Sequence, residues 1–181
     1  TVQGGKGANQ AVAVARLGGE ATFVCCLGND AFGQQTLGQL KQEGMDTSHV
    51  RLIDGAASGV ALIPIDKHGE NTIIVASGAN ALLSEQDIQA AASDICQAGI
   101  LLMQLESPIA PLIMAAQIAH ENGALVVLNP APFPKDSLPE ALTRYVDIII
   151  PNETEAAYMT GVKVTDLDSA GKAMAAIRQT G

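Results

Sequence analysis

The chain has 181 residues, 48% of them hydrophobic but only 3% aromatic, with a formal net charge of −9. That is enough for one domain with a sizeable core, packed by Ala, Val, Ile and Leu as in helices laid on a parallel sheet. A surface this acidic repels phosphate backbones, which excludes nucleic acid as a natural partner, and no run nears the roughly 18 apolar residues of a membrane span.

In chain order, the first element is also the most informative. Gly4-Gly5-Lys6-Gly7-Ala8-Asn9-Gln10 places glycines, one lysine and one asparagine where a nearly all-apolar helix, residues 8–17, begins, a helix expected to be buried on most sides. Glycine permits backbone geometry that other residues resist, and a helix N-terminus favours anionic or hydroxyl-rich ligands. Two known phosphate loops are excluded. Lys6 is followed by Gly7 rather than Ser or Thr, and the third glycine of a dinucleotide fingerprint is replaced by Gln10.

Residues 21–27 read as a strand, Gly28-Asn29-Asp30 as a turn, and 33–43 as a helix stopped at Gly44. Residues 59–65 and 71–76 are β-rich and separated by a short polar loop containing glycine, which predicts an antiparallel hairpin. Alternation then resumes. A helix over 84–97 opens on the capping pair Ser84 and Asp87. A strand follows at 100–105, then a helix capped by Ser107 with Pro108 in its first position. Strands at 125–128 and 146–150 are cut off by Asn129-Pro130 and Pro151-Asn152. Helices over 153–160 and 168–180 complete an α/β pattern.

The three cysteines, Cys25, Cys26 and Cys96, are odd in number and lack metal spacing. They read as buried thiols of a reducing, cytoplasmic compartment. His49, His68 and His120 read as solvated and receive no role.

In open parallel sheets, ligands bind beyond the carboxyl ends of the strands. Glu106, Asn129, Asn152 and Glu155 fall at such ends. Glu106 reads either as a sugar-hydroxyl acceptor or as a solvated residue before the Ser107 cap. Asn152 with Glu155 reads either as a helix-capping pair or as a phosphate-side pair acting through Mg²⁺.

Six ordered stretches together resemble the ribokinase-like (PfkB) carbohydrate kinase family, nearest its ribokinase branch. They are Gly4–Ala11, the turn 28–33, Gly78-Ala79-Asn80-Ala81, residues 101–108, Leu128-Asn129-Pro130-Ala131-Pro132, and Pro151-Asn152-Glu153-Thr154-Glu155-Ala156. The resemblance implies a central, mostly parallel sheet flanked by helices, with a small β-hairpin lid over 59–76 inserted in an incomplete domain, 1–181. It implies transfer of the ATP γ-phosphoryl group to ribose, helped by Mg²⁺, with a monovalent cation such as K⁺ in the full-length protein. Gly4, Gly5, Lys6, Asn9 and Glu106 would bind the sugar. Asn152 and Glu155 would serve the phosphates, Glu155 meeting Mg²⁺ through water. The lid would form a homodimer contact. The family's first strand and its Gly-Ala-Gly-Asp element, which carries the general base, find no match here. The resemblance therefore assigns no catalytic residue to this chain and implies truncation at both ends, with little turnover from these residues alone. The alternatives are a non-catalytic sugar-binding or regulatory module, or a kinase for deoxyribose, a nucleoside or another small sugar.

Overall fold

The computed structural model describes residues 4–64, 74–134 and 136–179. They form two compact units, residues 1–91 and 92–181.

In the first unit, α1 (Lys6–Arg16) precedes β1 (Cys25–Gly28), α2 (Ala31–Gln42) and β2 (Val50–Ile53). Strands β1 and β2 pair in parallel, Cys25 opposite Val50 and Gly28 opposite Ile53, and a bridge at Thr22 and Asp46 extends the pairing. β2 is absent from the sequence expectations. Its four residues, Val50-Arg51-Leu52-Ile53, are neither a continuous apolar run nor a clean alternation, and the parallel partnership supplies what local pattern lacks. Strands β3 (Val60–Leu62) and β4 (Ile74–Ala76) pair antiparallel as the hairpin requires; its connecting loop lies outside the described residues. A 3₁₀ helix (Gly78–Leu82) packs on β1. Cys26, Ala79 and Leu83 form the core there, with Val24, Ile53 and Ala56 against them.

The helix expected over 84–97 is two helices, α3 (Glu85–Ala90) and α4 (Ala92–Gln97). Ala91 breaks it at φ −92° and ψ 1°, its N–H shared between the carbonyls of Asp87 and Ile88, a tightened last turn. The Ser84–Asp87 capping box is present as expected. Asp87 also takes a two-pronged ion pair from Arg51 (Nε to Oδ1 2.5 Å, Nη2 to Oδ2 2.8 Å), which ties β2 to α3.

Three further sequence expectations are corrected. Helix α1 is not buried on most sides; none of its residues is buried. A largely apolar run states what a helix can bury, and the covering surface must come from elsewhere. At its far end Arg16 pairs with Glu43 (Nε to Oε2 2.9 Å) beside α2. Cys26 is buried and Cys25 half-buried, but Cys96 is exposed, and all three are free thiols. Burial pushes the Cys25 thiol up to about 12. Finally, α5 (Ile109–Glu121) uses Pro108, with an extended ψ of 146°, as its N-cap residue, and no side chain caps it. Pro111 accounts for the shift. Starting at Ile109 makes Pro111 the third helical residue, where no intrahelical N–H bond is required.

In the second unit, β5 (Ile100–Met103), β6 (Leu125–Leu128) and β7 (Ile148–Ile149) form a parallel sheet in that order. α5 packs against β5 and β6. Alternation along the strands divides the side chains. Met103, Val126 and Leu128 are buried on one face, whereas Ile100 (61%), Leu102 (37%), Leu125 (38%) and Ile148 (43%) stay exposed on the other; Val127, central on that face, is buried. Helix α6 (Glu140–Thr143) lies beside α5, and α7 (Glu153–Thr160) packs on α8 (Leu167–Ile177). Asp166 caps α8, accepting from the Ser169 N–H at 2.8 Å.

Carboxylates that cap helices make the fold acid-sensitive. Backbone N–H groups of Ser58 and Gly33 hold Asp30 down at about 2, and the Ser169 N–H lowers Asp166. Partial burial raises Asp87, but hydrogen bonds from Arg51 and Ser84 outweigh it and its net shift is downward. A carboxylate depressed below its unfolded value of about 3.9 contributes stability above that pH and loses it as pH falls through the folded value. The urea midpoint is therefore expected to hold from pH 7 to about 4 and to fall steeply between about 4 and 2. A midpoint unchanged at pH 3 would contradict this.

Candidate active site

Two groups of the sequence-nominated side chains are built, one in each unit. In the first unit Gly5 is the N-cap residue of α1 at φ +102° and ψ 134°. A residue with a Cβ is strained there, so glycine is required. Among the described residues no side chain caps this helix, and its first turn holds no acidic residue. A helix N-terminus carries a positive dipole and N–H donors that lack intrahelical partners. The Gly5 carbonyl accepts the Asn9 N–H at 2.9 Å, closing the first turn. Lys6 and Asn9 stand three residues apart, on neighbouring positions of one helix face, and both are exposed, as are Gly4 and Gly5. An ammonium, an amide and a rim of backbone donors are the groups that recognise vicinal hydroxyls or an anion.

In the second unit the carboxyl ends of three adjacent strands collect polar groups. After β5, the Leu105 N–H donates to the Ala131 carbonyl at 2.9 Å, and the Glu106 N–H to Gln104 Oε1 at 3.1 Å. Glu106 is half-buried at this bend. After β6, Asn129 Nδ2 donates to the Ile150 carbonyl at 2.7 Å, clasping the tips of β6 and β7. After β7, Asn152 caps α7. Its Oδ1 accepts the Glu155 N–H at 2.8 Å, and Glu155 Oε2 accepts the Asn152 N–H at 2.9 Å. Glu155 Oε1 also accepts from Asn152 Nδ2 at 3.1 Å. The capping reading of this pair is therefore realised. Glu155 is buried, and each oxygen retains lone-pair capacity beyond one accepted bond.

A groove of about 680 Å³ in the second unit is lined by Phe133, Leu138, Tyr158 and Met159 among others, with the Phe133 and Tyr158 rings stacked at 6.2 Å. None of the sequence-nominated residues lines it. The polar groups at the strand ends lie apart from its lining. Among the described residues no cluster of three or more His, Cys, Asp or Glu could hold a metal ion directly. No helix among them is long and apolar enough to cross a membrane.

Sequence reasoning missed Ser58. It is buried, its Oγ donating to Asp30 Oδ1 at 2.7 Å and accepting the Gly28 N–H at 3.1 Å, while its own N–H donates to Asp30 Oδ2 at 2.8 Å. Only the Asp30-x-x-Gly33 spacing hinted at this node, as a helix cap, because Ser58 is 28 residues from Asp30.

Parallel strands flanked by helices, with polar groups at the carboxyl ends of the second unit's strands, place the fold in the α/β class. The chain belongs to the pfkB family of carbohydrate kinases, whose model matches residues 1–181. It is 47% identical over 178 residues to a ribokinase of Haemophilus influenzae, covering 98% of this chain and 58% of that protein. It is 36% identical over 165 residues to a deoxyribokinase of Salmonella typhi, covering 91% of this chain and 54% of that protein. Its fold matches the structure of Arabidopsis thaliana ribokinase complexed with ribose and ATP, with a TM-score of 0.88 at 31% identity over 98% of this chain and 58% of that one. The chain thus spans a little over half the length of these relatives.

Proposed function

We propose that the intact protein is an ATP-dependent ribokinase, transferring the γ-phosphoryl group to ribose to give ribose 5-phosphate. The observation that carries this is the glycine-lysine mouth of α1. There Gly5 takes a backbone shape reserved for glycine, and Lys6 and Asn9 share one helix face. Near-complete coverage by a ribokinase at 47% identity supports the same reading.

In this reading Gly4, Gly5, Lys6 and Asn9 hold and orient sugar hydroxyls, and Glu106 accepts from another. Asn152 presents α7's N-terminus toward the nucleotide phosphates, where backbone donors stabilise negative charge. Mg²⁺ would supply charge neutralisation at the transferring phosphoryl group. The buried Glu155, with both oxygens already accepting from Asn152, fits a role at one remove, through water, better than direct ligation. None of the nominated residues suits a K⁺ site, and the general base is expected beyond them. The hairpin β3–β4 covers the sugar and, through its exposed Val60, Leu62, Ile63, Ile74 and Val75, pairs with a second copy. Three free thiols fit a reducing, cytoplasmic setting.

The test is a coupled ADP-release assay on the intact protein with ribose, 2-deoxyribose, fructose and adenosine. The highest kcat/KM is expected with ribose. Preference for 2-deoxyribose would move the assignment to the other kind of relative found, and sugar binding without ADP release would establish a non-catalytic module.

A further inference from the structure

The β3–β4 ribbon cannot set its own direction. All six of its strand residues are exposed, and a lone two-stranded ribbon is marginal in water. Its orientation is decided at its root, where residues 56–59 run into β3 and 77–79 run out of β4. There the Ala79 N–H donates to the Ala57 carbonyl at 2.8 Å, joining the two legs. The entering leg is then fastened to the end of β1 and the start of α2 through one side chain. Asp30 Oδ2 accepts the Ser58 N–H at 2.8 Å, while Oδ1 accepts the Ser58 hydroxyl at 2.7 Å and the Gly33 N–H at 2.8 Å. The Ser58 Oγ in turn accepts the Gly28 N–H at 3.1 Å.

Packing leaves little room for another arrangement. A Cβ added at Gly28 would stand 2.5 Å from both the Ala56 carbonyl oxygen and the Ser58 nitrogen, and one at Gly78 would stand 2.4 Å from the Ala57 carbonyl oxygen. The backbones touch with no side chain between them.

We propose that Asp30 is a positioning residue that locks the root of the hairpin through Ser58 and so fixes how the hairpin lies over the sugar; this rests on the kinase reading above. Helix capping alone does not account for the geometry. A cap needs one oxygen for Gly33, and serine or asparagine serves as well as aspartate. The second oxygen, and the sharing of the first, go to Ser58. An ionised carboxylate is the one short side chain that accepts on both oxygens at once, and the N–H and O–H donors around Asp30 hold its pKa at about 2, so it stays ionised.

The experiment compares Asp30→Asn, Asp30→Ser and Ser58→Ala with wild type in the intact protein. Asparagine and serine keep a cap oxygen for Gly33. Asparagine turns an amide N–H toward the Ser58 donors, serine withdraws the second acceptor, and Ser58→Ala removes the hydroxyl while leaving the main-chain bond. Ribose kinetics, thermal melting and amide hydrogen exchange are read together. For Asp30→Asn we expect exchange in 60–62 and 74–76 to quicken about tenfold while α2 keeps its protection. KM for ribose should rise about tenfold with kcat changed less than about twofold, a loss of orientation rather than of chemistry. Ser58→Ala should show the same pattern more weakly. The proposal is overturned if exchange in the hairpin is unchanged, or if α2 and the hairpin loosen together and activity merely follows the melting temperature. Should wild type fail to phosphorylate ribose, the kinase reading falls while the exchange measurement still decides the lock.

Discussion

Replacing Lys6 by methionine in the intact protein is expected to lower kcat/KM for ribose by about 10- to 150-fold. That is the ~1.5–3 kcal/mol carried by a hydrogen bond to a charged group. Methionine keeps the unbranched stem and the helix propensity, so the change isolates the ammonium. The loss should fall chiefly on KM, because the ammonium would hold the sugar in ground state and transition state alike. Stability should move by less than about 0.5 kcal/mol, since Lys6 is exposed at the first turn of a helix with no buried residue. Initial-rate kinetics alongside a thermal melt check both halves. Unchanged ribose kinetics would remove Lys6 from the sugar site and, with it, the observation on which the proposed function leans hardest.

The second large effect is on stability and comes from α2. A Cβ at Gly33 would sit 1.9 Å from the Gly28 carbonyl oxygen and 2.9 Å from Ser58 Oγ. The carbonyl cannot retreat, because Gly28 ends β1 in register with Ile53 of β2. Gly33→Ala should therefore cost about 3 kcal/mol, near the upper end for overpacking. Five residues along the same helix, Gly38 has nothing within 4 Å of its notional Cβ. Gly38→Ala should stabilise by roughly 0.5–1 kcal/mol through the helix preference of alanine. Opposite signs for one chemical change in one helix make the pair self-controlling. Urea denaturation of both variants checks it, and equal shifts would show that the close approach at Gly33 is not what holds the turn.

The elements most legible in the sequence were those whose signal is local. The strand at 125–128 and the helix at 153–160 stand where periodicity and stop residues placed them. The Ser84–Asp87 box and the Asn152–Glu155 pair were readable because both partners lie within one turn. What escaped depends on contacts distant along the chain. β2 exists because β1 pairs with it. The helix break at Ala91 has no glycine or proline to announce it. Pro108 looked like a first helical residue until Pro111, three positions on, is asked where its missing N–H does least harm.

Of the site, the residue types were legible and one arrangement was not. The glycine-lysine mouth of α1 follows from its composition. The clasp from Asn129 to the Ile150 carbonyl joins residues 21 apart, and no spacing rule reaches that far. It converts two strand tips into one polar shelf, and only the sheet order makes it possible.

The exposed side chains on one face of the three-stranded sheet bear on how this molecule behaves in concentrated solution. Ile100, Leu102, Leu125 and Ile148 offer an aliphatic plane, while a net charge of −9 keeps copies apart. Added salt shortens the reach of that repulsion to about 10 Å at 0.1 M, and sulfate strengthens apolar adhesion at the same time. Colloidal attraction and crystal nucleation are then promoted through one patch. A lattice grown from sulfate would bring those planes face to face, and such a contact would report the precipitant's chemistry rather than a physiological assembly.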